Sequence, residues 1–188
     1  DQFSQSHLRG YALMAKGLIF TGKENFSAAA AEFSRAARQT TRGDHRAEAQ
    51  YLAAACLFLG GDEEPGLEAM NAVAVNYAGD DLAARALFSL GEMRWLQGQY
   101  ELAIIRFNEV LSSYFAHELA GSALYRTGRC LDALDRTVEA NSTYQAVADG
   151  YPYAPEAPAA VYLAGVGLFE QGNYLAAAPY FQLVLDRY

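Results

Sequence analysis

Cysteine, histidine and proline are scarce in this chain: two, three and five among 188 residues. Two cysteines do not make a disulfide framework. Cys56 and Cys130 fall at equivalent places two repeats apart, beyond the roughly 7 Å reach of a disulfide, and read as small buried core residues. His7, His45 and His117 have no zinc-ligand spacing to a cysteine or carboxylate and read as surface residues. No metal and no cofactor is expected. Long apolar runs are missing too: none approaches the ~18–20 residues that cross a bilayer, so direct membrane insertion is not expected. No charged start leads into an apolar leader. The sequence opens on Asp1 rather than methionine, so that absence says nothing of compartment. Lysine and arginine total 14 against 22 acidic residues, a net charge of -8. That argues against nucleic acid, whose counterions must be displaced by a basic face, and against anionic membrane surfaces. No nucleophile elbow, phosphate loop or dinucleotide fingerprint occurs. The acidic run Asp62-Glu63-Glu64 reads as a turn that caps the next helix and favours its dipole, not as an acid–base pair. These absences point away from an enzyme.

What is present is apolar residues, at 52%, and a repeat. Gly91-x6-Gly98-x4-Ala103-x3-Phe107 recurs as Gly165-x6-Gly172-x4-Ala177-x3-Phe181. Gly17, Ala54, Gly91, Gly128 and Gly165 are each 37 residues apart. Each is followed by a second small residue and then a large one: Gly17/Ala29/Phe33, Ala54/Gly66/Met70, Gly91/Ala103/Phe107, Gly128/Ala140/Tyr144 and Gly165/Ala177/Phe181. Apolar spacings of 3, 4 and 7 make each copy a pair of helices, A and B, of roughly 14 residues each, with a glycine turn between them. A glycine inside a helix costs about 0.5–1 kcal/mol relative to alanine. It is explained if the two small residues mark where helices A and B touch, with the large residue filling the adjacent space. Ala36, Val73, Val110, Val147 and Val184, in the same register, are expected to pack onto the following repeat.

This pattern resembles the tetratricopeptide repeat, with small residues at repeat positions 8 and 20 and a large one at 24. It implies an all-α fold: an α-solenoid of five helix-turn-helix repeats with a 37-residue period. The repeats start near residues 10, 47, 84, 121 and 158, and residues 1–9 form an N-terminal lead segment. The family's usual period is 34, so the extra residues fall between helix B and the next helix A, as in Tyr151-Pro152-Tyr153-Ala154-Pro155-Glu156-Ala157. That segment resembles a bacterial cell-envelope subset of the family, such as the periplasmic coordinator of the Tol-Pal system and the lipoprotein of the outer-membrane barrel-assembly machine. The resemblance favours the periplasm or cell envelope, with the cytoplasm as the alternative.

Some copies depart from the pattern. Asp132 stands where Phe58, Trp95 and Phe169 stand in other copies. The turn Leu134-Asp135-Arg136 lacks the usual glycine, so a distorted or shifted turn is expected there. Pro65 falls in a first helical turn, where proline is tolerated. Pro179 lies deeper in its helix and is expected to kink it. Leu183, Val184 and Leu185 near the end leave apolar surface. Either the chain continues past Tyr188 or that end packs on another copy.

The resemblance implies a concave groove lined by helix A. Position 5 gives Met14, Tyr51, Phe88, Tyr125 and Tyr162, and position 12 gives Thr21, Phe58, Trp95, Asp132 and Phe169. The candidate partner-binding residues are Tyr51, Phe58, Phe88, Trp95, Tyr125, Tyr162 and Phe169, as hot spots for an apolar peptide or helix. The alternative is that these rings only pack neighbouring helices. Arg85, Arg126 and Arg129 fall on or near the same faces, where they would grip carboxylates of a partner or pair with Glu92 or Asp132. The lysine and asparagine set that chaperone-binding members use is absent. The expected function is a non-enzymatic scaffold docking a protein segment. The alternatives are a structural module that self-associates through its terminal repeats and an interaction or regulatory domain of a longer enzyme.

Overall fold

The structure, a computed structural model, describes the backbone of residues 2–40 and 43–188, with side chains from Leu8 onward in those ranges. His7 therefore falls outside the described side chains. Among the described residues there are ten α-helices and no strand: α1 (Gln2–Thr21), α2 (Phe26–Gln39), α3 (Gly43–Leu59), α4 (Glu63–Asn76), α5 (Asp81–Leu96), α6 (Tyr100–Ser113), α7 (Leu119–Ala133), α8 (Thr137–Gly150), α9 (Ala157–Glu170) and α10 (Tyr174–Arg187). Odd-numbered helices are the A helices and even-numbered ones the B helices of an α-solenoid of tetratricopeptide-like repeats. Residues 2–9, read as a lead segment, belong to α1. The chain divides into two compact units, Asp1–Met93 and Arg94–Tyr188.

In the first unit, Ala29, Ala30, Phe33, Ala53 and Cys56 form one buried cluster, and Ala54, Phe58, Leu67, Met70, Val73, Ala86 and Leu90 belong to another. In the second unit, Tyr125, Leu131, Ala140, Tyr144, Val147, Ala160 and Ala164 pack together. The pairing of the first small residue with the large one holds at atomic detail in repeats one, four and five. A Cβ added to Gly17 would lie 2.5 Å from the Phe33 ring, one on Gly128 2.5 Å from the Tyr144 ring, and one on Gly165 2.9 Å from the Phe181 ring. In the second repeat the approach is backbone on backbone: a Cβ on Gly66 would meet the Phe58 amide nitrogen at 2.6 Å. Ala36, Val73, Val110 and Val147 are all buried, as are Cys56 and Cys130.

The A–B turns share one geometry. The amide of Asn25, Asp62, Gln99, Arg136 and Asn173 donates to the carbonyl five residues back (Phe20, Leu57, Arg94, Leu131 and Leu168) at 2.9–3.0 Å. This six-to-one bond closes each A helix around one left-handed residue. Gly61, Gly98 and Gly172 fill that place with φ of 96°, 71° and 78°. The fourth turn is neither distorted nor shifted, contrary to the expectation from its missing glycine. Asp135 takes the left-handed conformation itself, at φ 57°, and Glu24 does the same in the first turn. Aspartate tolerates this region because its short polar side chain bonds locally; glutamate has no such compensation. Glu24→Gly is therefore expected to raise unfolding stability by about 1 kcal/mol, and Asp135→Gly by about half that. Urea unfolding of the two variants measures the difference.

The acidic turn before α4 meets the expected dipole arrangement but not the expected cap. Asp62 sits at the N-cap position without making a side-chain capping bond, while Glu63 and Glu64 occupy the first turn. Asn25 does cap its helix, accepting from the Ala28 amide at 3.2 Å. Helix α10 runs unbroken through Pro179.

The longer period is absorbed between repeats by two successive i→i+3 turns: Ala154 to Tyr151 and Ala157 to Ala154, both 3.0 Å. The same pair closes His117 on Tyr114 and Ala120 on His117, so the two prolines of the fourth loop are not needed for the shape. The tyrosines closing the fourth and fifth repeats bond back to the loop before them. The Tyr151 hydroxyl donates to the Phe115 carbonyl, and that of Tyr188 to the Pro152 carbonyl at 2.8 Å.

Candidate functional site

The helix-A faces carry the candidate residues, and the structure sorts them by exposure. In the first unit, Phe58 is buried at 8% exposure, its backbone against Gly66. It presents little surface to a partner. Tyr51 is half-buried; its hydroxyl bonds Ser89 Oγ at 2.9 Å. The Arg85 guanidinium lies 4.8 Å from the centre of the Tyr51 ring and pairs with Glu48 at 3.2 Å. Arg85 and Glu48 hold the same position in successive repeats, so this is a ladder between adjacent A helices. Phe88 is half-buried.

In the second unit, Tyr125 is buried at 8% exposure and packs at a tilt against Tyr144, ring centres 5.9 Å apart. The Arg129 guanidinium donates to the Tyr125 hydroxyl at 3.3 Å. Trp95 is half-buried and packs on Tyr100, ring centres 4.8 Å apart. Phe169 packs on Tyr174 in the same way at 4.9 Å, but Phe169 is 54% exposed and Tyr162 53%. One register position therefore supplies both core and surface. The period fixes which side of the helix a ring stands on, while its neighbours decide how deeply it is covered.

Away from these faces, His45 Nε2 lies 2.9 Å from the Tyr11 hydroxyl, and His117 Nδ1 accepts from the Leu119 amide. Glu32 is held by Lys16 at 2.7 Å and Arg35 at 3.0 Å.

Asp132, the odd member of position 12, has a structural partner. The Tyr144 hydroxyl donates to its Oδ2 at 2.5 Å. Repeats one, three and five use phenylalanine where Tyr144 stands and need no such acceptor. Burial, reinforced by this bond to a carboxylate, pushes the Tyr144 phenol well above its ordinary range. The fold thus holds the protonated phenol. Its contribution to stability is intact below the unfolded-chain value of about 10 and declines as pH rises past it, where the unfolded chain ionises first. Tyr144→Phe is expected to change stability by less than about 1 kcal/mol at neutral pH and to flatten the alkaline loss. Paired melts of variant and parent from pH 8 to 11 check both.

One polar feature escaped the reading of the sequence. A cavity of about 140 Å³ in the second unit is lined by Asp132, Thr137, Asn141, Tyr144, Leu163, Val166, Gly167 and Glu170. The available signal was departure from register: Asn141 stands where the other copies hold Ala30, Leu67, Ile104 and Ala178. Among the described residues no helix is long and apolar enough to cross a membrane.

Comparison with known proteins agrees with this geometry. The tetratricopeptide repeat family model matches residues 66–114 and 119–188, well over half the chain. No protein of curated function matches. Among solved structures, a crystal structure of MamA is 17% identical over 90% of this chain and 92% of its own, with a TM-score of 0.67. PilF of Pseudomonas aeruginosa is 15% identical over 96% and 77%, with a TM-score of 0.70. The apo form of RapI is 15% identical over 97% of this chain and 55% of its own, with a TM-score of 0.80. At these identities the likeness speaks for the fold. Five in-register copies, matching turns and the family match lead to one conclusion: the chain belongs to the tetratricopeptide repeat family.

Proposed function

We propose that this protein is a non-enzymatic scaffold that docks a segment of a partner protein on the A-helix faces of its repeats. The observation that carries this reading is the exposed aromatic surface of the second unit. Tyr162 and Phe169 stand seven residues apart on α9, with Tyr174, 60% exposed, beside Phe169. Aromatic side chains at this spacing supply rigid contact area for an apolar segment. Tyr51, Phe88 and Trp95, half-buried, are the further contact candidates, with Arg85 and Arg129 as polar neighbours. Phe58 and Tyr125 act through the core beneath. The loop Tyr151-Pro152-Tyr153-Ala154-Pro155 and its likeness to envelope members favour a bacterial periplasm or cell envelope as the setting.

A pull-down with the full-length protein, followed by mass spectrometry, identifies the partner. Phe169→Ala and Trp95→Ala are then expected to weaken its binding about tenfold or more, beyond what any fall in melting temperature explains. If lost stability accounts for all the lost binding, the docking face is wrong.

A second reading, self-association, is favoured by the end helices. Ile19 is 58% exposed, whereas its counterparts Cys56, Met93 and Cys130 are buried. Leu185 is exposed where Ala37, Ala74 and Ala148 are buried. The equivalent surfaces of internal repeats are covered, and on α1 and α10 a second copy, or chain beyond the given sequence, would cover them. Light scattering across concentrations separates the readings, since a monomer at high concentration removes the second.

A further inference from the structure

The fourth and fifth repeats depart from the pattern of the others at several positions, and the departures meet in one place. Position 12 is Asp132 instead of an aromatic or threonine. Position 21 is Asn141 instead of an aliphatic residue. Position 24 is Tyr144 instead of phenylalanine or methionine. Position 10 is Gly167 where the others hold Ile19, Cys56, Met93 and Cys130. Position 13 is Glu170, where the others are Gly22, Leu59, Leu96 and Ala133. All five line the same cavity between α7, α8 and α9.

The arrangement is also unfavourable as it stands. Asn141 is 5% exposed, and its buried Oδ1 has no hydrogen-bond partner. A buried amide oxygen without a donor is destabilising compared with the leucine that the second repeat holds there. The neighbouring glycine is what admits it: a Cβ on Gly167 would collide with the Asn141 amide. Two carboxylates, Asp132 and Glu170, the Thr137 hydroxyl and the Asn141 amide therefore share one wall system. Asp132 already accepts from Tyr144 and retains further acceptor capacity. Arg129 acts electrostatically on Asp132 but does not line the cavity.

We infer that this cavity takes the cationic tip of a basic side chain, an ammonium or guanidinium, carried by the docked partner segment. The donors of such a group match a wall of acceptors, and a turn of the Asn141 amide about its terminal bond would present Oδ1 to them. The chain's net charge of -8 favours a basic partner. Positions 12 and 13 lie at the end of the A-helix face that carries Phe169, so the inference rests on the docking reading above. It adds that the segment anchored on the aromatics carries a lysine or arginine.

The test uses the 15N-labelled chain with n-butylammonium as probe and n-butanol as the neutral control, read at the Asn141 side-chain amide and the Gly167 backbone amide. Saturating shifts are expected with butylammonium alone. Glu170→Gln should weaken that binding about tenfold, and Asn141→Leu should abolish it while raising the melting temperature. Glu170 is exposed, so its variant reports even where Asn141→Leu fails to fold. Shifts that do not saturate, an equal response to butanol, or unchanged binding by Glu170→Gln would overturn the inference. If the probe binds as expected but Phe169→Ala leaves partner binding untouched, the docking reading falls while the cation site stands. If the probe fails while Phe169→Ala abolishes partner binding, the reverse holds.

Discussion

Gly66→Ala should lower the stability of this protein by about 3 kcal/mol, while the same change at Gly10 should raise it by about 0.5–1 kcal/mol. Both residues are buried within helices, and the added methyl is identical. At Gly66 the new carbon would sit 2.6 Å from the Phe58 amide nitrogen and 2.9 Å from its Cα. Those are main-chain atoms of a neighbouring helix, which cannot step aside as a side chain can, so α3 and α4 must separate. Overpacking of that kind costs about 1–3 kcal/mol and occasionally more. At Gly10 the nearest atom would be Thr40 Cβ at 3.5 Å, an ordinary contact. There the methyl restores helix propensity and trims the freedom of the unfolded chain. Urea unfolding of the two single variants decides the matter. Equal effects would mean that helix contact does not depend on the missing side chain.

Phe33→Ala should cost about 3–5 kcal/mol, the range for removing a fully buried ring. Phe33 is wholly buried, and its Cε1 would be 2.5 Å from a Cβ on Gly17. Gly17→Ala alone should cost about 2 kcal/mol, because the ring must move. The double variant should lose less than the two together, by about 1 kcal/mol or more, since the new methyl enters space that the ring vacated. The same cycle at Gly10 and Phe33, which do not touch, should be additive. Strict additivity at Gly17 and Phe33 would refute the pairing of small and large residues.

That pairing was legible in the sequence because it is a matter of period. Five copies in register state which residues meet, and the structure bears this out at Gly17, Gly128 and Gly165 with their rings. The burial of Cys56 and Cys130 followed from the same register. Exposure was not legible. Tyr125 and Tyr162 share a position, yet one is buried and the other half open, because the residues around them differ. The fourth turn departs from its expectation for a different reason. The left-handed place tends toward glycine without demanding it, and Asp135 supplies the conformation with the same closing bond from Arg136 to Leu131 at 2.9 Å. The polar cavity stayed hidden because its members lie on three helices, each a single exception that reads as noise by itself.

The alanines have a consequence for how this protein meets another molecule. Ala120, Ala123, Ala157, Ala160 and Ala164, all fully covered, form the seams of α7 and α9. Such seams have no rotamers to freeze, since alanine surrenders no side-chain entropy on burial. The scaffold behind Tyr162 and Phe169 is therefore already set before any visitor arrives, and the ordering penalty of association falls on the incoming chain.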